Sequence, residues 1–379
     1  MCKVWFIIFC FPTFYEYAYV VTPGVEYEYR VHTTPALSLH YLTVDPQKVS
    51  IVLEPAQSYY GNAETTSSIA QRNQAIAAVN GGFFDFGQKN NFMYTFIKLL
   101  ELVGIYPYYA FPVFCLKVKD AWLSLSNVKG ALLGWSEGGQ KVVLDTVQTC
   151  WILHAEDQQY RIKNMNKRYA GGPTLYTPAY GITTPLKSKV TEVVIEHNVV
   201  KCVIQGQGNT PIPRTGYVYA LENSLHNSVS FKPGTPIVLE KKFTGSNRTY
   251  DWHTMEYLLG STPLLLKDGT IVNSLYKKQT PFYTERHPRT AIGLLPHGHW
   301  LFLVVDGYQS SSKGISLLEL AQLLKDRGCI TAINLDGDNS STMVIHNKIV
   351  NSPASEYGLV YGKYGERPVA NALLIMQRA

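Results

Sequence analysis

The sequence predicts an α+β protein: a β-rich mixed sheet with a βαβ unit near the C-terminus that carries a site at its strand ends. Three observations predict it. Apolar and polar residues alternate along "EYEYRVHTTPALSLHYLTVD" and "KVSIVLEPAQ", the period of half-buried strands. The segments "LFLVV" and "CITAINL" are almost wholly apolar, as strands covered on both faces are. Between those two lies one amphipathic helical stretch, with Leu317, Leu320, Ala321 and Leu324 on a single face.

The elements follow in order. "MCKVWFIIFCFPTFYEYAYVV" opens with Lys3 and an apolar Val4–Phe11 core of secretory-leader length, too short to span a bilayer. Residues 1–20 are therefore expected to be a signal peptide and 21–379 a single domain, secreted or periplasmic. The competing reading is a buried N-terminal strand. A short helix near Ser67–Arg72 leads to a strand, Ala75–Val79, which ends on Asn80, Gly81, Gly82, Phe83, Phe84 and Asp85. "NFMYTFIKLLELVGIYPYYAFPVFCL" reads as core rather than a lid, and "GGPTLYTPAYG" as a turn-rich loop. "TEVVIEHNVVKCVIQG" is a hairpin turning at His197-Asn198. "RTAIGLL" and "HWLFLVV" form another. Ser316 with Glu319 makes a capping box, and Gly328 stops the helix in the C′ role. "TMVIHNKIV" closes as a hairpin around Asn347-Lys348. No linker or internal repeat interrupts this pattern.

Composition narrows the function. The 379 residues carry a net charge of +6 with no run of like charges, so a nucleic-acid partner is not expected. No other segment is apolar enough for an integral membrane span. Of the six cysteines, four would remain after leader removal; their wide spacing excludes zinc knuckles and C-x-x-C pairs, while disulfides and buried thiols both fit.

In a βαβ unit the two strands run parallel, which sets Asp306 and Asp336 on one sheet edge, at the strand C-termini where open α/β sheets build ligand sites. Counted back through the hairpin, Arg289 lies nearly opposite Asp306. If the "AIAAVN" strand joins in parallel, Asn80 and Asp85 join that edge too. Singly, a strand-end aspartate is most often a turn former, and an arginine a surface ion pair. Convergence of three segments is what marks a site. "DGDNS" sets Asp336, Asp338 and Ser340 at the first three positions of a calcium loop, but Ser341 and Asn347 stand where glycine and glutamate belong. Another Ca2+ arrangement stays open, and no other cofactor is expected. H-E-x-x-H, G-x-S-x-G and P-loop motifs are all missing.

"AIAAVNGGFFD", "HPRTAIGL", "LFLVVDG", "GISLLELAQLLKDRGCITAINLDGDNSSTMVI", "NKIVNSP" and "ERPVANALLI" occur in the order seen in the phosphodiester glycosidase family. On these six motifs the chain resembles that family from about Pro23 to Met376. The resemblance implies hydrolysis of a sugar-1-phosphodiester to free sugar and a phosphomonoester, on an envelope or extracellular polysaccharide, with a glycan or sugar-phosphate as partner. It implies catalytic roles for Asp306, Asp336, Arg289 and Asp85. It implies substrate contacts from Asn80, Gly81, Gly82, Phe83, Gly307, Asn334, Gly337, Ser340, Ser341, Thr342 and Arg367. Arg289 and Arg367 suit phosphate oxygens, and N–H groups at Gly81, Gly82 and Gly337 could add donors. Either Asp306 or Asp336 would attack the anomeric carbon or activate water. One departure is Asp338-Asn339, where the family usually carries glycines. Asp and Asn tolerate φ > 0 best, but Asp338 adds negative charge that a cation or Arg289 must offset. Two alternatives follow: a glycan-binding protein of the same fold without turnover, and a metal-dependent phosphodiesterase cutting P–O.

Overall fold

The computed structural model describes residues 14–58, 61–85, 109–167, 171–222, 231–245, 250–354 and 365–378. It overturns the α+β expectation. The protein is mostly β, 53% strand against 12% helix, so strand pairing sets its architecture. Among the described residues the strand pairing is antiparallel except for Asn164–Met165 beside Thr174–Tyr176.

The largest sheet has eight strands. Its order is Phe14–Thr22, Val25–Thr33, Ala36–Val44, Trp300–Val305, Arg289–Leu294, Thr331–Asn334, Leu264–Lys267 and Thr270–Ile271. Helix Leu317–Asp326 does carry the chain from Trp300–Val305 to Thr331–Asn334. Those strands are not neighbours: Arg289–Leu294 lies between them and pairs antiparallel with both. The sequence cannot distinguish the two layouts, because each buries both faces of the strands. Trp300, Phe302 and Val304 enter one core, while Leu301, Leu303 and Val305 enter another beneath the helix. That alternation within an all-apolar strand is the period-2 geometry with both faces covered.

A second sheet runs Lys348–Ile349, Met343–Ile345, Ala77–Asn80, Asn371–Gln377 and Val49–Pro55. The condition that Ala77–Asn80 join the first sheet in parallel is not met: it sits here, antiparallel to both neighbours. The two sheets share a core in which Ile292, Phe302 and Ile333 meet Ile51, Val79, Leu373 and Ile375. Trp135 and Trp300 close it, their indole N–H groups donating to the carbonyls of Ile51 at 2.9 Å and Gly139 at 3.1 Å.

Further sheets cover residues 116–261 and 164–222. The hairpin at His197-Asn198 turns there with φ of 50° and 61°, the two positive values of a type I′ turn. The helix at Thr66–Arg72 and the Ser316–Glu319 capping box form as read. The last hairpin turns at His346-Asn347, one residue earlier than read. Of the expected leader, residues 1–13 lie outside the described residues, and Phe14–Thr22 is a strand paired with Val25–Thr33. Most of "NFMYTFIKLLELVGIYPYYAFPVFCL" also lies outside them; Tyr109–Pro112 is a strand.

Candidate active site

"NLDGDNSST" is the crossing from the first sheet to the second. It leaves strand Thr331–Asn334 and enters strand Met343–Ile345. Between them Asp338–Ser340 makes a single 3-10 turn, with Asp338 at φ 53°. The aspartate does adopt the left-handed backbone that glycine would favour. Gly337 lies so close to the preceding hairpin that a Cβ there would stand 2.8 Å from the Pro288 carbonyl.

Asn80 ends the middle strand of the second sheet and ties it to this crossing. Its Nδ2 donates to the Asp336 carbonyl at 2.7 Å. Its Oδ1 accepts from the Thr290 hydroxyl at 2.7 Å and the Thr342 N–H at 3.2 Å. Gly81 and Gly82 follow, and Asn371 holds both. The Gly81 N–H donates to the Asn371 carbonyl at 2.9 Å, and the Gly82 N–H to its Oδ1 at 3.1 Å. A Cβ on Gly81 would fall 1.9 Å from that Oδ1. These glycines therefore serve close packing, and their N–H groups are already engaged. The Gly337 N–H is likewise taken, by the Asp336 carboxylate at 3.1 Å.

Asp336 sits partly exposed at the centre. Burial raises its pKa to about 6, Asp338 adds to the rise, and Arg367, Ser340 and the Gly337 N–H oppose it. Arg367 stands over the Phe84 ring at 4.8 Å. On the same segment the buried Asn334 Oδ1, Ser341 Oγ and Thr342 Oγ1 have no hydrogen-bond partner, nor has the Asn371 Nδ2. The Ser340 hydroxyl lies beside Asp336 outside good hydrogen-bond geometry. Orphaned buried polar atoms cost about 1–3 kcal/mol each, so a cluster of them marks where a polar ligand would be held.

The other expected residues have different settings. Arg289 pairs with Val305, one residue from Asp306. It is 3% exposed and lies over the Phe282 ring at 5.3 Å. Its Nε donates to the Ile315 carbonyl at 3.2 Å, and its Nη2 to the carbonyls of Phe282 at 2.8 Å and Glu285 at 3.3 Å. Two of its three guanidinium nitrogens thus pin backbone. Burial lowers its pKa to about 10, against the pull of Asp338 and Tyr308. Asp306 is buried and hydrogen-bonded throughout. Gly307 packs on Pro288, where a Cβ would meet its nitrogen at 2.6 Å. Phe83 meets Phe282 and Phe114 as an aromatic wall. Asp85 is exposed, in a short strand opposite Phe111.

Asp338 reaches two residues that the sequence did not single out. The Tyr308 hydroxyl donates to its Oδ1 at 2.6 Å, and His287 Nδ1 lies 3.2 Å from the same oxygen. Burial would raise the Asp338 pKa, but these two partners outweigh it and hold the carboxyl below its usual range. The added negative charge is thus offset locally. Among the described residues no three His, Cys, Asp or Glu side chains converge as metal ligands. Asn351 and Asn371 also escaped the sequence reading, although both are polar residues flanking strands, the signal that found Asn80. A surface depression lined by Tyr176, Lys187 and Glu192 belongs to the sheet of residues 164–222 and shares no residue with this crevice. The converging polar groups, not that depression, make the candidate site.

The chain resembles known proteins. A family model described as phosphodiester glycosidase matches residues 190–376, which include Arg289, Asp306, Asp336 and Arg367. The SPbeta prophage-derived uncharacterized protein YomE of Bacillus subtilis is 37% identical over 67 residues, 18% of this chain and 10% of its own length. The N-acetylglucosamine-1-phosphodiester alpha-N-acetylglucosaminidase of Bos taurus is 39% identical over 66 residues, 17% of this chain and 12% of its own. The match thus spans about a tenth of either relative. A hypothetical protein from Synechocystis shares the fold at TM-score 0.75 and 20% identity, over 94% of this chain and 63% of that one. A Burkholderia pseudomallei K96243 protein does so at 0.70 and 20%, over 92% and 76%. On this family match, residues 190–376 are identified as a phosphodiester glycosidase domain.

Proposed function

We propose that the crevice around Asp336 hydrolyses a sugar-1-phosphodiester, freeing the sugar and leaving a phosphomonoester. The observation that carries this reading is a carboxylate of raised pKa, opposed by Arg367, on a segment whose buried hydroxyl and amide groups lack partners. A carboxylate near pKa 6 is mostly ionised at neutrality yet still basic enough to take a proton, which suits a base or nucleophile. In its ionised form Asp336 attacks the anomeric carbon, or takes the proton of the water that does. The bond from C1 to the phosphate oxygen breaks, and the electron pair leaves with the phosphate. A phosphomonoester is a good leaving group and needs little protonation. Arg367 balances the charge that moves to it. Where Asp336 has bonded to C1, water then displaces the carboxylate, so by either route the water oxygen ends on the sugar. The names of the mammalian relatives make N-acetylglucosamine the first sugar to test, and an envelope or extracellular glycan is the wider substrate class proposed.

The test is sugar release from a panel of N-acetylglucosamine-1-phosphodiesters in 18O-labelled water. Label on the sugar supports the reading. Label on the phosphate would mean P–O cleavage and reject it in favour of a phosphodiesterase.

A further inference from the structure

The two aspartates of this crevice have opposite surroundings. Asp306 is 5% exposed and every polar atom it carries is engaged. Its N–H donates to the Ser38 carbonyl at 3.1 Å, and its own carbonyl accepts from the Ser312 hydroxyl at 2.6 Å. Oδ1 accepts from Asn351 Nδ2 and the Ser352 N–H, both at 3.0 Å. Oδ2 faces His40 Nε2 at 3.2 Å, and His40 Nδ1 faces the Tyr27 hydroxyl at 2.8 Å. A buried carboxylate already holding three donors is badly placed to attack carbon or to receive a proton from water.

We infer that Asp306 does not touch substrate and is a positioning residue, the centre of a buried chain Tyr27–His40–Asp306–Asn351 that sets the Ser341–Met343 backbone. The inference rests on the hydrolase reading above for its activity readout only. Asn351 is the working end of the chain. Its Nδ2 also donates to the Ser341 carbonyl at 2.9 Å, and its Oδ1 accepts from the Met343 N–H at 2.8 Å. Those bonds bracket Ser341 and Thr342, whose hydroxyls lie buried without partners on the segment that follows Asp336. Proton positions follow from the donors. Asp306 accepts on both oxygens, so His40 carries hydrogen on Nε2. Its Nδ1 is then the acceptor, and the Tyr27 O–H points to it. Every polar group in the chain is thereby matched.

The chain makes an unusual forecast for Asp306→Asn. The new amide keeps its oxygen toward Asn351 and Ser352 and turns its NH2 toward His40. His40 must then accept at Nε2 and move its hydrogen to Nδ1, donating to Tyr27. Nitrogen-15 shifts of labelled histidine read that exchange directly. Expected are the tautomer exchange and a fall in kcat/KM of about tenfold, mostly in kcat, beside a fall of about a thousandfold or more for Asp336→Asn. Asp306→Ala and Asn351→Ala should each lose more than Asp306→Asn, and the double alanine variant no more than the worse of the two, because both act through one contact. An Asp306→Asn variant that melts normally yet loses as much as Asp336→Asn would overturn the inference. If no phosphodiester is cleaved by the unaltered protein, the activity reading falls, and this inference is decided by the spectrum alone. An exchanged tautomer supports it, and a His40 still protonated on Nε2 in Asp306→Asn refutes it.

Discussion

At the scale of single residues, Asp336 works against the stability of its own fold. Its folded pKa of about 6 lies above the ordinary carboxylate value of 3.8. Between those values the folded state binds more protons than the unfolded, so stability falls as pH rises through that window. Asp336→Asn should therefore melt higher than the unaltered protein at pH 7, by an equivalent of roughly 1–3 kcal/mol, with the difference vanishing below about pH 4. Thermal melts at both pH values check this. The same group predicts a pH–activity profile rising through about 6, since the reacting form is ionised. Gly81→Ala should cost several kcal/mol, because its Cβ has nowhere to go beside Asn371. Denaturant midpoints measure that loss. Asn80, Gly81 and Asp336 were legible in the sequence because each is a polar or small residue where an apolar strand stops. His40 was not, because it sits inside an ordinary strand, and Asn371 opens a strand whose neighbours the sequence does not reveal. Only pairing across hundreds of residues gives them their partners.

At the scale of elements, local chemistry was readable and neighbourhood was not. Ser316 and Glu319 announced the helix start, and the capping box is there: the Ser316 hydroxyl accepts from the Glu319 N–H, whose carboxylate accepts from the Ser316 N–H at 3.0 Å. Ser316→Ala should lower stability by about 1 kcal/mol, read from chemical denaturation. The hairpin register placed Arg289 within one residue of Asp306 for the same local reason. Strand adjacency failed. "LFLVV" and "CITAINL" are joined by a helix and buried on both faces, and that pattern also describes two strands with a third slotted between them. The inserted strand, Arg289–Leu294, precedes both in sequence, so no periodicity within the unit could reveal it. Arg289 itself changes meaning with this correction. On a central strand, deeply buried, it anchors the backbone of Phe282, Glu285 and Ile315 and offers few donors to a ligand.

At the scale of the whole molecule, the two sheets are held together by core packing and by polar ties that include Asn80. Asn80→Ala would leave the Thr342 N–H and Thr290 hydroxyl without that acceptor, and should destabilise by about 2–4 kcal/mol while lowering activity, measured by melts and sugar release. Thiol labelling probes the same unity. Cys115 and Cys329 are buried, and burial pushes both thiols up to about 12, whereas Cys150 and Cys202 are half-buried. Mass mapping should find Cys150 and Cys202 modified first, with Cys115 and Cys329 protected until global unfolding. The position of strand Asn371–Gln377 has a consequence in time. It lies inside the second sheet, between Ala77–Asn80 and Val49–Pro55, and its first residue clamps Gly81 and Gly82. During synthesis, Asn80 leaves the ribosome almost three hundred residues before that clamp exists. A nascent chain that stops short of Asn371 carries Asp336 and its neighbouring hydroxyls without that clamp, so Gly81 and Gly82 are locked only once Asn371 has been made.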